Sequence, residues 1–165
     1  MKTLTDQLSQ YAAYHRDPRN IRTHFVGIPM IVFSVIVLLN GIWGPLAWIG
    51  VVVTAAYYLR LDLRFGLTML VLLGLGLSAS QSLVGHWLAS GIGLFVVGWV
   101  FQFIGHYYEG RKPAFVDDIM GLAIGPLFVV AEAGFLLGLR KEVEAEIVAR
   151  TGPVRLNPHA QQTAA

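Results

Sequence analysis

Charged side chains are absent from residues 25–59 and again from 65–108, and each run is well beyond the about 20 residues that one membrane crossing needs. The turn-forming cluster Asn40-Gly41-Ile42-Trp43-Gly44-Pro45 interrupts the first run, and the stretch from Gly85-His86-Trp87 to Gly91-Ile92-Gly93 interrupts the second. The pattern predicts four spans. A fifth apolar stretch, residues 119–139, contains Glu132 and a Gly121-x-x-x-Gly125-Pro126 interruption that predicts a break or a close helix contact. Ahead of the first span, Leu4, Leu8, Tyr11 and His15 recur at helical spacing behind a Thr3-x-x-Asp6 helix start. This predicts an amphipathic helix lying on the membrane surface, from which Pro18 and Asn20 turn the chain into span one. After Lys141, alternating Glu and apolar residues predict a short surface helix. The expected fold is an all-α, multi-pass membrane helical bundle: four spans, a re-entrant or fifth helical segment, and an N-terminal interfacial helix. Residues 1–150 read as one membrane-embedded domain and 151–165 as a flexible tail.

Basic residues fall at Lys2, Arg16, Arg19 and Arg22, at Arg60 and Arg64, at Arg111 and Lys112, and at Arg140, Lys141, Arg150 and Arg155; the turns near 40–45 and 85–93 have none. Four spans with both termini cytoplasmic put every one of these on the cytoplasmic side, as the positive-inside rule requires. A fully crossing fifth segment would strand the basic tail outside, so a re-entrant helical hairpin is expected at 119–139. Composition agrees: 55% hydrophobic and 13% charged residues with a mean hydropathy of +0.61 exclude a disordered chain and do not suit a soluble globule. The net charge of +2 comes without a basic stripe interleaved with aromatics, which argues against a nucleic-acid partner. With no cysteine, thiol catalysis, disulfides and iron–sulfur clusters are excluded, and any metal must be held by nitrogen and oxygen. The first 24 residues lack the apolar core of a cleavable signal, so the first span is expected to act as its own uncleaved signal. The membrane would be the inner membrane in a bacterium and the endoplasmic reticulum in a eukaryote.

Topology sorts the histidines before any chemistry is argued. His15 and His24 flank the entry to span one and His106 the exit of span four, all at the same boundary. His86 belongs to the opposite turn, about 30 Å away, and His159 to the tail. On span four, Trp99, Gln102, His106 and Glu109 share a sector of about 80°, so one helix face presents an amide, an imidazole and a carboxylate. Gln102, one turn before His106, is placed to hold its second ring nitrogen. Gly105 would admit another backbone. Asp117-Asp118 reads as a helix cap, an ion-pair partner of Arg111 and Lys112, or further ligands. Glu132 reads as an arginine partner, and Tyr11, Tyr14, Tyr107 and Tyr108 as belt or packing residues.

Two motifs give these residues a resemblance. Tyr14-His15-x-x-Pro18-x-Asn20-x-x-x-His24 followed by Pro29, and Gly98-Trp99-x-x-Gln102-Phe103-x-Gly105-His106-x-x-Glu109-x-x-x-Pro113-Ala114 with Asp117, resemble the family of membrane 2-hydroxy fatty acid dioxygenases. The resemblance covers roughly residues 8–140; between 40 and 95 only hydropathy matches. Where the family often has Asn after the first Asp of the second motif, this chain has Asp118. The resemblance implies an Fe2+-dependent alpha-oxidation in which a 2-hydroxy fatty acid and dioxygen give a fatty acid one carbon shorter. It places the family's histidines on His15, His24 and His106, which are then expected as metal ligands, with Glu109 as a fourth ligand or a base behind them and Asn20 and Gln102 as candidates for orienting the ligands. Arg19, Arg22 and Arg111 are the candidates for the substrate carboxylate. Two other readings stay open: a bis-histidine haem protein, and a non-enzymatic lipid-binding or scaffolding membrane protein whose histidines only anchor headgroups. No charged residue lies in mid-span and no inverted repeat is present, which disfavours a transporter. Oligomeric state has no signature in the sequence.

Overall fold

A computed structural model describes residues 2–155, and among these there are helices and turns but no strand. The helices are α1 (Leu4–Ala12), α2 (Pro18–Ile42), α3 (Gly44–Leu61), α4 (Leu63–Ser80), α5 (Trp87–Glu109), α6 (Met120–Leu136) and α7 (Lys141–Thr151). The chain divides into two compact units: residues 26–100, and the two ends, 1–25 with 101–165.

In the unit of residues 26–100, the links are as short as they can be. Trp43 alone separates α2 from α3, and Pro45 opens α3 where a missing N–H costs nothing. Asp62 ends α3 and starts α4, accepting the Phe65 N–H at 2.9 Å. Ala47, Val51, Ala55 and Tyr58 bury one stripe of α3, and Phe65, Met69, Leu73 and Leu77 one stripe of α4. The opposite faces expose Trp48, Val52, Val53, Val71, Leu75, Ile92 and Val96, an apolar surface that belongs in lipid.

Three helical stretches are long and apolar enough to cross a membrane: Pro18–Ile42, Gly44–Leu61 and Leu63–Glu109. The last is helical throughout, with a 3-10 turn at Gln81–His86, and at 1.5 Å per residue would be about 70 Å long if straight. Its contacts along α2 show that it doubles back. Gly76 faces Ile36 and Ser80 takes a 3.0 Å hydrogen bond from Asn40, so α4 runs with α2. Trp87 packs on Gly41, Gly91 on Leu38 and Gly98 on Ile31, so α5 runs against it. The two arms are the third and fourth expected spans. The reversal falls at 81–86, earlier than the glycine-rich 85–93, because Gly91 and Gly93 are spent inside α5, Gly91 as the seat of Leu38.

The other unit departs from expectation twice. The apolar face of α1 does not lie on lipid: Leu4, Leu8, Tyr11 and Ala12 are buried, and α1 packs on α6 and α7. Its start is as read, with Thr3 and Asp6 capping each other's N–H groups at 3.0 and 3.2 Å. Nor does the chain break at 121–126 within 119–139: the bent pair of a re-entrant or broken segment is α6 with α7. α6 passes through Pro126 as one helix, the fifth segment, and Gly121 is needed for close approach, since a Cβ there would stand 2.9 Å from Phe115 N. The ring of Pro126 removes one backbone hydrogen bond, but Ile124, Leu127, Phe128 and Ala131 bury the helix around it, and packing holds the turn. The bend comes later, between α6 and α7, at 113°.

A Cβ at Gly98 would meet Ile31 Cγ1 at 2.7 Å and Gly27 O at 2.9 Å, whereas one at Gly93 would meet nothing. Gly98→Ala should therefore lower stability by about 1–3 kcal/mol. Gly93→Ala should leave it unchanged or raise it by up to about 1 kcal/mol. Melting curves of both variants in detergent or nanodiscs check the pair.

Candidate metal centre

The first histidine is presented by a turn and the other two by helix ends. Past Ala12 the chain stays tightly wound, with Tyr14 N–H donating to Tyr11 O and His15 N–H to Ala12 O. This folds His15 back onto α1, where its ring stacks on Tyr11 with centroids 4.2 Å apart and planes 6° apart. His15 Nδ1 then reaches Tyr11 O at 2.7 Å. Pro18 opens α2, and His24 Nδ1 reaches back one turn to Asn20 O at 2.9 Å. His106 stands in the last turn of α5, next to Gly105, whose bare Cα lies against Thr23 and Asn20.

These three imidazoles meet. Their centroids are 4.5, 5.0 and 5.1 Å apart, and one nitrogen from each lies within 4.8 Å of the others. Exposures of 0, 1 and 7% for His15, His24 and His106 leave them almost no water. A carbonyl oxygen can only accept, so the Nδ1 atoms of His15 and His24 both carry the proton, and their Nε2 lone pairs face each other across 3.0 Å. Two lone pairs at that distance repel unless a cation is shared between them. Imidazole nitrogens sit about 2.0–2.1 Å from a bound transition metal, which separates neighbouring donors by about 3 Å. The donor set and its spacing fit a metal ion. Burial, and after it the neighbouring His24, hold the His15 imidazole well below its usual pKa, in the neutral form a metal needs.

Around this cluster the structure arranges the other candidates differently from one another. Glu109 turns its carboxylate to the main chain: Oε2 accepts from Arg16 N at 3.0 Å, Asp17 N at 2.8 Å and Asn20 Nδ2 at 3.1 Å, and Oε1 from Arg155 at 3.1 Å. It is the Asn20 carbonyl that orients His24, while its side-chain amide also donates to Tyr14 O. The expected Gln102–His106 bond is not formed. Gln102 Nε2, His106 Nδ1 and Asn20 Oδ1 are all buried without a partner, polar atoms left for something that enters the site.

Of the arginines proposed for a carboxylate, Arg19 is committed to Asp17 at 2.8 Å and covers the Tyr108 ring, and Arg111 donates to Ala13 O. Arg22 is exposed on α2, about 200° around the helix from both Asn20 and His24. Asp118 accepts from Met120 N at the start of α6, Asp117 pairs with Lys112 at 2.6 Å and takes the Tyr14 hydroxyl, and neither joins the histidines. Glu132 lies in the field of Arg16. His86 is in the 81–86 turn, outside the cluster, and His159 lies outside the described residues. Sequence reasoning missed three neighbours: Phe128, 5.4 Å from the His15 ring, and Arg16 and Arg155 at Glu109. The spacing Tyr11–His15 and Asn20–His24 was a readable signal, because four residues is the reach from a ring to a carbonyl one turn back.

A family model described as 2-hydroxy-palmitic acid dioxygenase Mpo1-like matches residues 1–136. The chain belongs to the Mpo1-like family. This Mpo1-like chain is 33% identical over 151 residues to 2-hydroxy-palmitic acid dioxygenase MPO1 of Saccharomyces cerevisiae, covering 87% of each chain. No solved structure matches it.

Two outcomes are expected. A Cβ at Gly105 would run into Thr23 Oγ1 and Asn20 Oδ1, so Gly105→Ala should weaken cobalt(II) binding at least about tenfold in a spectroscopic titration. Separately, an unfolded histidine takes its proton near pH 6.5 and His15 only far below, so the unfolded state binds more protons in between. Stability is therefore present above pH 6.5 and lost as pH falls. The metal-free melting point should drop from pH 7.5 to 5.5, at up to about 1.4 kcal/mol per pH unit for each such proton.

Proposed function

We propose that this chain is an iron(II)-dependent dioxygenase carrying out alpha-oxidation: a 2-hydroxy fatty acid and dioxygen give a fatty acid one carbon shorter, the carboxyl carbon being lost. The observation that carries this reading is the buried trio of imidazoles, two of them with facing lone pairs. It occurs in a chain related over 87% of its length to a protein named a 2-hydroxy-palmitic acid dioxygenase. Nitrogen and oxygen donors without sulfur suit iron(II) in oxygenases. Iron(II) would supply the one-electron chemistry that dioxygen needs to react with a closed-shell acid.

His15, His24 and His106 would hold that ion, and the rest of the site positions and shields. The carbonyls of Tyr11 and Asn20 fix two of the rings in the tautomer that offers Nε2. Tyr11 and Phe128 lie against His15 and keep water from that side. Gln102 Nε2 and Asn20 Oδ1, both unpartnered, are assigned to the substrate's polar head, the first donating to its carboxylate and the second accepting from its 2-hydroxyl. Glu109 is assigned to holding the Arg16–Asp17 backbone. The bilayer is the reservoir from which an acyl chain would come, and the distribution of Lys and Arg supports a cytoplasmic face for the site. A bis-histidine haem would be held by two imidazoles, and is less well served where three converge.

The test is anaerobic purification in detergent, metal analysis, and addition of iron(II), oxygen and 2-hydroxypalmitate with products followed by mass spectrometry. The one-carbon-shorter acid should appear and vanish with chelator. His24→Ala and His106→Ala should each reduce it more than about 100-fold, beyond the cost of removing a residue that only supports a ligand, with the elution profile unchanged. An active His106→Ala protein would sink the assignment.

A further inference from the structure

Glu109 holds a charge in a place without water. Its side chain is 0% exposed, and its one ion pair among the described residues runs to Arg155, itself 53% exposed, at 3.1 Å. Arg155 arrives there by a defined route. α7 ends at Thr151, Gly152 takes a φ of +79°, which favours glycine, and Pro153 cannot continue the helix. The chain then crosses Arg16 and grips it at both ends: Arg16 Nη1 donates to Gly152 O at 2.9 Å, and Arg155 N donates to Arg16 O at 2.7 Å. The root of this segment is itself fixed, because α7 buries Val143 and Ile147, packs on α1, and pairs Arg150 with Asp6 at 2.7 Å.

Arg16 is the residue after His15, and its N–H is one of the groups that Glu109 holds. His15 is also the one histidine of the three that no helix carries. Its ring is fixed by Tyr11, but the main chain behind it, residues 15–17, hangs between α1 and α2 with Glu109 on one side and residues 152–155 on the other. We propose that residues 152–155 form a strap that positions His15, Arg155 acting through Glu109 and Arg16. Arg155 is a positioning residue. Without its guanidinium, Glu109 Oε1 loses a charged donor in a buried site, and the carboxylate must either draw in water or shift from the Arg16 and Asp17 amides. The strap lies beyond residues 1–136 matched by the family model. Only its effect on metal affinity rests on the metal reading above; its effect on the 15–17 backbone does not.

The experiment uses the full chain in nanodiscs, as wild type, Arg155→Ala, Arg155→Lys and, as control, His24→Ala. Metal-free hydrogen–deuterium exchange is measured first, then cobalt(II) is titrated and its absorption bands recorded. In Arg155→Ala, exchange over residues 14–20 should quicken at least about tenfold while that of α6 stays unchanged. Cobalt should bind about tenfold more weakly, with shifted bands, and Arg155→Lys should recover part of both effects by restoring charge without the fork. Unchanged exchange at 14–20 overturns the strap, and so does exchange that quickens equally through α6, which would mark a general stabiliser. Local quickening with unchanged cobalt affinity and bands overturns the positioning role. If wild type binds no more cobalt than His24→Ala, it is the metal reading that fails, and the exchange data alone decide the strap.

Discussion

A carboxylate stripped of water must be given its hydrogen bonds back by the protein, and at Glu109 the donors are the main chain of residues 16 and 17, the Asn20 amide and the Arg155 guanidinium. That one demand ties the end of α5 to the turn before α2 and to the segment after α7. Because the turn carries His15 and α5 carries His106 one turn before Glu109, meeting the carboxylate's needs brings two imidazoles to the same place. His24 follows from the helical spacing after Asn20. Hydrogen bonds to a charged group, at about 1.5–3 kcal/mol each, thus help to hold together the segments that carry the cluster.

The two units are held by different physics. Residues 26–100 use small residues and one-residue links to bring long apolar helices together, and leave outward faces of Val, Leu, Ile and Trp for which lipid is the only suitable solvent. The unit made of the chain ends has a core of its own, with Leu8, Leu127, Phe128 and Phe135 at its centre and ion pairs at its edge. Its histidine cluster is buried by protein, with Tyr11 and Phe128 against the His15 ring.

The spans, their breaks at Trp43 and near His86, and the convergence of His15, His24 and His106 were legible, because each rests on a local pattern or on counting which end of a span a residue occupies. What covers an apolar stripe is not local. Leu4, Leu8 and Tyr11 look the same whether they meet lipid or α6 and α7, and only the tertiary structure distinguishes the two. Pro126 reads as a break in isolation and is overruled by burial on the turns around it. Gln102 and His106 have the right spacing to pair, yet spacing does not fix which way an amide turns. Arg155 could not have been found at all: nothing in a basic residue near the end of a chain says that a carboxylate at 109 lacks a cation.

The unit that holds the histidines is assembled from both ends of the chain, residues 1–25 and 101 onward. A ribosome therefore delivers His15 and His24 long before His106, with the whole of 26–100 threaded into the membrane in between. During that interval two imidazoles wait as a half-site, without Glu109 to hold the turn behind them. The three imidazoles can therefore meet only late, once residues 101–109 have been made.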